Sequence, residues 1–232
     1  GRRTREADIR RQQQELDLTP KARAARATEQ GYHPETLYHG TAADIERFDP
    51  FLSGSTTNAS SAKLGTWLTS DPTVASGYAR FAGEDVPVYR LVHDADLAEK
   101  AGNFDLHDQL MRQAEQLELS GELIGGGGQN VMPLRVRGKL MEIDVQGQTF
   151  GDLTDGQLTE WATEAKKQGY EGLKIKNFSD NTDWGTYRAA DHYLIFDPKN
   201  IRSVHAEFDP AKAGSADLLS GIASIGATEG IT

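Results

Sequence analysis

Leu37-Tyr38-His39-Gly40-Thr41 is the stretch that decides how this sequence is interpreted. It has the length of a short strand, and its glycine allows a ligand or another backbone to come close. Two later stretches belong with it: Gly65-Thr66-Trp67-Leu68, which leads into Thr69-Ser70-Asp71-Pro72, and the segment from Asp191 to Asp197. Together they predict a nucleotide site that is built from separated strands.

The composition permits one catalytic domain. The chain has 232 residues, and its apolar and charged fractions are ordinary for a globular protein. No run approaches the roughly 20 apolar residues of a membrane helix, and the first residues are charged, so we expect a cytoplasmic protein. The net charge of −10 argues against broad binding to nucleic acid, which requires a basic surface. The absence of cysteine removes disulfides and thiol chemistry.

Changes in composition along the chain predict three parts. Residues 1–31 are rich in arginine and helix formers, which indicates a helical arm or linker. A basic arm that contacts a nucleic acid or a partner is the alternative. Residues 32–210 form the predicted domain, and residues 211–232 are rich in Gly, Ala and Ser, which predicts a flexible tail.

Local signals predict the elements of this domain. Residues 42–63 are polar and predict a mobile loop of the kind that covers sites. Asp71 as N-cap and Pro72 in the first turn predict a helix that carries Ala75 and Tyr78. The glycine-rich segment 120–128 predicts a flexible connection, because it lacks the context of a phosphate-binding loop. The remaining predicted elements are strands at 86–92, 131–145, 172–176 and 193–196, and helices at 103–117 and 153–167.

Each candidate residue has an ordinary structural explanation when it is taken alone. His39 at a strand end is compatible with a structural hydrogen bond, and Gly40 with a tight turn. Trp67 and Tyr78 are aromatic residues of the kind that fill cores, and His192 lies in an apolar strand. Function is therefore indicated only by the order in which these residues occur along the chain.

That order resembles the ADP-ribosyltransferase fold of the diphtheria-toxin and poly(ADP-ribose) polymerase branch. In that fold NAD is surrounded by a strand with a His-Gly pair, a strand with Gly-x-Tyr, a helix with Ser or Ala and Tyr, and a late strand with the catalytic acid. The corresponding segments here are 38–41, 65–68, 75–78 and 192–197. The chain is most similar to the ADP-ribosyltransferase domains in polyvalent proteins of phages and other mobile elements. That likeness is carried also by Gly169-Tyr170-Glu171-Gly172-Leu173 and by the stretch from Phe196 to Ser203.

The resemblance implies a fold class and a set of contacts with NAD. The expected fold is α+β, a split and bent antiparallel β-sandwich with flanking helices. By resemblance, the Gly40 backbone hydrogen-bonds the nicotinamide amide, Tyr78 stacks on the nicotinamide ring, and Trp67, in place of the family tyrosine, covers its other face. His39 holds a hydroxyl of the adenosine ribose. The other expected NAD-binding residues are Thr41, Ala75 and Ser76, and no metal is expected.

The sequence departs from the family pattern at His192, where the archetype has the catalytic glutamate. A neutral imidazole can accept a hydrogen bond from the ribose, but it brings no negative charge to the cationic transition state. If His192 acts in this way, activity falls as the pH drops through its pKa, about 6.5 when unshifted. Asp191 should point to the opposite face of the strand, so it could serve only if a bulge shifts the register. The candidate catalytic residues are thus His39, Tyr78, His192 and Asp191.

Other polar residues are weaker candidates. Asn177, Asp180 and Asp183 follow a predicted strand in a polar loop, where acceptor contact and plain solvation are both open. Glu122 could supply a carboxylate from the glycine-rich segment.

These expectations define a mono-ADP-ribosyltransferase that moves ADP-ribose from NAD to a macromolecular acceptor and releases nicotinamide. The acidic balance favours a protein acceptor, such as a host protein, over nucleic acid. The alternative is a catalytically silent module that binds NAD or ADP-ribose or serves only for interaction. RNA 2′-phosphotransfer is disfavoured, because the motifs provide no cluster of basic residues. The biological role, as a toxin-like effector, a counter-defence factor or a regulator, is left open by the sequence.

Overall fold

The computed structural model of this chain describes residues 16–50, 60–82, 86–120, 130–149, 152–183 and 186–219. The helices in these ranges are α1 (Pro20–Glu29), α2 (Pro72–Arg80), α3 (Val86–Lys100), α4 (Phe104–Ser120) and α5 (Asp155–Lys167). The strands are β1 (Leu37–Thr41), β2 (Thr66–Thr69), β3 (Asn130–Val136), β4 (Leu140–Asp144), β5 (Gly172–Asp183), β6 (Thr186–Ile195) and β7 (Ile201–Ser203). None of these helices is long and apolar enough to cross a membrane.

The seven strands lie in one mixed sheet with the order β4-β5-β6-β2-β1-β3-β7. The pair β4–β5 is parallel, and the other neighbouring pairs are antiparallel. The connection between β2 and β1 is weak, since only Tyr38 and Thr69 are paired there. The sheet is therefore split into one half with β4, β5, β6 and β2 and another with β1, β3 and β7. The expected α+β fold with flanking helices is confirmed.

Two hydrophobic cores lie on opposite faces of β6. Leu194 belongs to the core that α5 covers with Leu158 and Ala162. Tyr193 and Ile195 belong to the other core. Because side chains alternate along a strand, consecutive residues of β6 face different environments, and this separates His192 from Asp191.

The helix boundaries follow from local chemistry. Asp71 caps α2 by accepting a hydrogen bond of 2.8 Å from the backbone N–H of Thr73, and Pro72 follows it, as predicted. At α5 the cap is a capping box between Thr154 and Gln157. That helix ends before Gly169, whose φ of 77° is a left-handed conformation that favours glycine.

The predicted strand at 86–92 is wrong, because this segment is the start of α3. The alternation of Val86 and Val88 is short, whereas the helical spacing continues from Leu91 to Ala95 and Ala98, which are both buried. Helix α3 packs against α4 as a hairpin, with Ala114 of α4 also buried. The tertiary contact with α4 therefore decided the structure of a segment whose short-range pattern is ambiguous.

Several predictions fall partly or wholly outside the described residues. They concern the arm at 1–15, the centre of the 42–63 loop, the glycine-rich segment with Glu122 and the end of the tail. On either side of the loop centre the chain is packed: Phe48 contacts the ring of His39, and Ser61–Leu64 forms a 3-10 turn.

Contacts of the domain extend beyond residues 32–210 on both sides. Ala27 of α1 is fully buried with Tyr32, Ala206 and Phe208. The Arg26 guanidinium donates two hydrogen bonds to the carbonyl of Glu207, at 2.9 and 2.8 Å. At the other end, the side chain of Leu218 lies in the core with Leu37. The boundaries at 31 and 210 remain a prediction.

Candidate active site

The candidate site lies where β1 and β2 separate. Pro133 of β3 stands opposite Tyr38, and its carbonyl accepts a hydrogen bond of 3.1 Å from Val204 on the side away from β1. The backbone N–H and C=O of Tyr38 therefore point towards β2, and those of Gly40 do so too, since this direction repeats every second residue. Pairing with β2 is limited to Tyr38, so the polar backbone groups of Gly40 face the gap between the strands.

His39 bridges this gap with its side chain. Its Nδ1 donates a hydrogen bond of 2.8 Å to the carbonyl of Trp67. This bond fixes the neutral tautomer in which Nε2 is an acceptor. Burial lowers the pKa of His39, and the bond to Trp67 offsets this only in part, so the ring is neutral at physiological pH. The edge-on contact with Phe48, at 4.9 Å between ring centroids, fixes the ring orientation. His39 is thus prepared to accept a hydrogen bond from a hydroxyl.

Helix α2 closes one side of the gap by packing directly on Gly40. A Cβ atom at Gly40 would overlap the backbone carbonyl of Ala75 and approach the backbone nitrogen of Ala79 at 2.8 Å. Only glycine therefore fits here, whatever ligand the gap accepts. Ala75 is buried against the strand, whereas Ser76 is exposed, so the two predicted binding residues of this helix have different environments.

Tyr78 of α2, Asp180 of β5 and His192 of β6 form a buried polar group beneath this helix. The Tyr78 hydroxyl donates a hydrogen bond of 2.7 Å to Oδ2 of Asp180. The same Oδ2 lies 3.6 Å from Nε2 of His192, beyond hydrogen-bond distance. Asp180 is 4% exposed and His192 is 3% exposed. The structure thus brings two of the predicted site residues, Tyr78 and His192, to the same carboxylate. That carboxylate belongs to Asp180, which the sequence pattern places in a loop.

The ionisation of this group follows from its burial. Burial lowers the pKa of His192 to about 3, so the imidazole is neutral and its contact with Asp180 is not an ion pair. Burial, the charge of Asp180 and the hydrogen bond together raise the pKa of Tyr78 well above 10. Phe178 packs edge-on against the His192 ring at 4.8 Å. In the described part of the chain, Nε2 of His192 has no hydrogen-bond partner.

Asp191 lies on the opposite face of β6, as the period of two predicts. Its carboxylate lies 3.7 Å from Nζ of Lys174 and accepts a hydrogen bond of 3.2 Å from the backbone of Asn177. Its backbone is joined to Ser70 next to β2. Of the two register shifts in the β5–β6 ladder, the one nearer to Asp191 lies between Ile175 and Phe178, and it does not bring the Asp191 side chain to the face of His192. The contacts of Asp191 are therefore structural, and its side chain lies on the face of the sheet away from His192.

Trp67 and Thr41 also have structural contacts. The indole Nε1 of Trp67 donates a hydrogen bond of 3.0 Å to the carbonyl of Ser61, and its ring packs beside Leu64 against the core under α5. Trp67 remains partly exposed on the face of the sheet that carries His192. Thr41 is buried, and its hydroxyl accepts a hydrogen bond from the Ala43 backbone as the chain leaves β1.

Asp180 lies in a strand, whereas the sequence pattern predicts that it lies in a loop. The polar segment after Lys176 was expected to be a loop, but β5 continues to Asp183. Asn177, with φ of 55°, forms an irregularity in the strand, and its amide binds both oxygens of Asp144 at 3.0 Å. Beyond it, Phe178 and Asp180 share the face of His192. The sequence signal for this longer strand is Phe178, a single apolar residue among polar neighbours, which is typical of a strand with one buried face.

A separate cavity of about 240 Å³ lies beside Tyr193, on the face of the sheet opposite to His192. Its charged lining mixes both signs, with Glu35, Glu142, Lys139 and Lys174. None of the predicted site residues lines it. The gap between β1 and β2, with its unpaired backbone and oriented histidine, is the better candidate for the active site on chemical grounds. No group of three or more potential metal-binding side chains occurs within the described ranges.

A split mixed sheet with a His-Gly strand at the split, and with a helix packed on that glycine, is consistent with a domain of the ADP-ribosyltransferase type. The chain belongs to the family of ADP-ribosyltransferases in polyvalent proteins, whose model matches residues 29–209. Comparison with curated proteins gave no match, and neither did comparison with solved structures. The family supports ADP-ribosyltransferase activity in general, with NAD as the substrate.

Proposed function

We propose that this domain transfers a single ADP-ribose from NAD to a macromolecular acceptor in the cytoplasm, with a protein as the preferred acceptor. The observation that carries the proposal is the gap between β1 and β2. There the backbone N–H and C=O of Gly40 face an opening, beside a histidine whose free nitrogen is an acceptor. A nicotinamide amide has one donor and one acceptor group to match that backbone.

The residues of the gap would position NAD rather than exchange protons with it. Nε2 of His39 would accept a hydrogen bond from a ribose hydroxyl. Tyr78 would offer its ring to the nicotinamide, since the hydrogen bond to Asp180 holds the phenol in place. Trp67 would contact the other side of the ring from the exposed part of its indole. Fixed aromatic and backbone contacts reduce the entropic cost of reaching the reactive geometry.

The reaction itself is a displacement at C1′ of the nicotinamide ribose. The bond between C1′ and the nicotinamide nitrogen breaks, and its electron pair stays with the departing nicotinamide. A lone pair of the acceptor forms the new bond to C1′, and the proton that the acceptor loses passes to solvent. The ribose carries positive charge in the transition state, so a neutral His192 does not repel it.

Two features favour a single transfer to protein. Elongation of an ADP-ribose chain depends in the polymerases on the glutamate that His192 replaces here. The net charge of −10 disfavours a polyanionic acceptor, because few counterions would be released on binding.

Labelled NAD tests the proposal directly. The purified chain is incubated with NAD that is labelled in the adenosine part, together with a bacterial protein extract. We expect label on protein and release of nicotinamide in equal amounts, with one ADP-ribose at each modified site by mass spectrometry. NAD binding by calorimetry without turnover in any extract would contradict the transfer reaction.

The buried neutral His192 favours one alternative, a silent module that binds NAD or ADP-ribose. The same assay separates the two functions. A silent module binds the ligand with full occupancy and releases no nicotinamide, even when protein or RNA acceptors are supplied.

A further inference from the structure

Asp180 brings a carboxylate next to His192, the residue that stands where the family pattern has its glutamate. It comes from β5, the strand next to β6, and its Oδ2 lies 3.6 Å from the ring of His192. The same oxygen accepts the hydrogen bond of the Tyr78 hydroxyl at 2.7 Å. One buried carboxylate thus adjoins Tyr78, which the proposed function places against the nicotinamide ring, and His192, which replaces the catalytic glutamate of the family pattern.

We infer that Asp180 supplies from β5 the negative charge that His192 lacks, and that it acts as a positioning residue through His192 and Tyr78. This inference rests on the proposed transfer of ADP-ribose from NAD. A carboxylate can only accept hydrogen bonds, so the nitrogen of His192 that faces it should carry the hydrogen. Nδ1 of His192 then keeps its lone pair and can accept a hydrogen bond from a ribose hydroxyl.

The unpaired ring nitrogen of His192 favours a role beyond structure. Nε2 of His192 is buried and has no hydrogen-bond partner among the described residues, and such groups need an explanation. A separation of 3.6 Å becomes a hydrogen bond after a shift of several tenths of an ångström, and catalytic contacts often tighten in this way when substrate binds.

The first measurement is the tautomer of His192, read from the ¹⁵N chemical shifts of its ring at neutral pH. We expect hydrogen on Nε2 in the unaltered protein. In Asp180→Asn, the amide offers a donor to the ring, so hydrogen should move to Nδ1. That exchange removes the acceptor, and we expect kcat to fall about 100-fold while KM for NAD changes less than threefold.

Two further variants control the experiment. Asp108→Asn makes the same change beside His107 on the surface of α4, where the carboxylate lies 3.0 Å from Nδ1, and it should leave kcat unchanged. Asp180→Glu keeps the charge, so it should retain the Nε2 hydrogen and more activity than the asparagine variant. Thermal unfolding of each variant verifies that it is folded.

Hydrogen on Nδ1 in the unaltered protein would overturn the inference, as would a folded Asp180→Asn variant with kcat within twofold of normal. The tautomer measurement requires no turnover and no variant. If the protein does not turn over NAD, the proposed function fails, and the state of the His192 ring still decides whether Asp180 orients it.

Discussion

His39 shows how one side chain can serve both the fold and the site. Its Nδ1 holds the Trp67 carbonyl at the split in the sheet, which leaves Nε2 as an oriented acceptor. We expect His39→Ala to raise the Kd for NAD by up to about tenfold, because a net hydrogen bond contributes about 0.5–1.5 kcal/mol and 1.4 kcal/mol corresponds to a factor of ten in Kd. Calorimetric titration with NAD measures this change.

Two variants separate binding from folding in this test. His39→Asn keeps a donor for the Trp67 carbonyl but has no acceptor at the Nε2 position, so it should weaken binding as much as alanine does. His107→Ala removes a histidine from α4 and should bind NAD normally. An unchanged Kd in the asparagine variant would show that His39 does not contact the ligand.

The environment of His192 changes the pH dependence that the sequence predicts. An ordinary histidine would give a rate that falls near pH 6.5, but burial lowers the pKa of His192 to about 3. The groups that face it in the described structure are Tyr78, whose pKa is raised well above 10, and Asp180. Since the imidazole stays neutral above its pKa, we expect kcat to be constant from pH 8 to 5.5.

Steady-state rates across this pH range, with NAD saturating, provide the measurement. Burial lowers the pKa of His39 as well, so its protonation would begin at a lower pH than that of an ordinary histidine. A fall centred near pH 6.5 would mean that water reaches His192 in the working protein.

At the scale of elements, the contact between α2 and β1 sets the width of the site. Gly40 is the point of contact, because a Cβ atom there would overlap the Ala75 carbonyl. We expect Gly40→Ala to lower the free energy of unfolding by at least ~2 kcal/mol, since the backbone of α2 cannot move aside without losing its own packing. It should abolish NAD binding too, because α2 carries Tyr78.

Urea unfolding and NAD titration test this prediction. Gly156→Ala is a matched control, since Gly156 lies in the first turn of α5 and an added Cβ comes no closer than 3.6 Å to Oγ1 of Thr154. Alanine there should be neutral or stabilise by up to ~1 kcal/mol. Equal stability of the two variants would contradict the packing role of Gly40.

The elements that could be predicted from the sequence are those with strong local signals. Asp71 and Pro72 predicted the start of α2, and the strand with His39 is where it was expected. The segment 86–92 could not be assigned, since its structure depends on packing against α4. Asp180 was missed for a similar reason: its place beside His192 depends on the irregular β5–β6 ladder, which involves residues far apart in sequence.

At the scale of the whole molecule, the proposed NAD site depends on the split in the sheet. Backbone groups inside a sheet normally pair with the next strand, and leaving them unpaired is costly. Here β1 is paired along its full length with β3 but at a single residue with β2. The unpaired edge thus lies in the middle of the sheet, covered by α2, where a ligand amide can complete the pairing.

Segments outside residues 32–210 contribute to the core at both ends of the described chain. Helix α1 contributes the fully buried Ala27, and Leu218 lies in the core under Leu37 with its backbone bound to Glu46 at 2.8 Å. A chain of residues 32–210 lacks both contacts. Loss of one buried leucine alone costs about 2–5 kcal/mol, a large part of the stability of a domain. We therefore expect residues 16–219 to unfold cooperatively at a higher temperature than residues 32–210, as measured by calorimetry. Equal melting temperatures would place the boundaries at 31 and 210, and a chain of 16–219 with Leu218→Ala should fall between the two, because it keeps α1 and loses only the second contact.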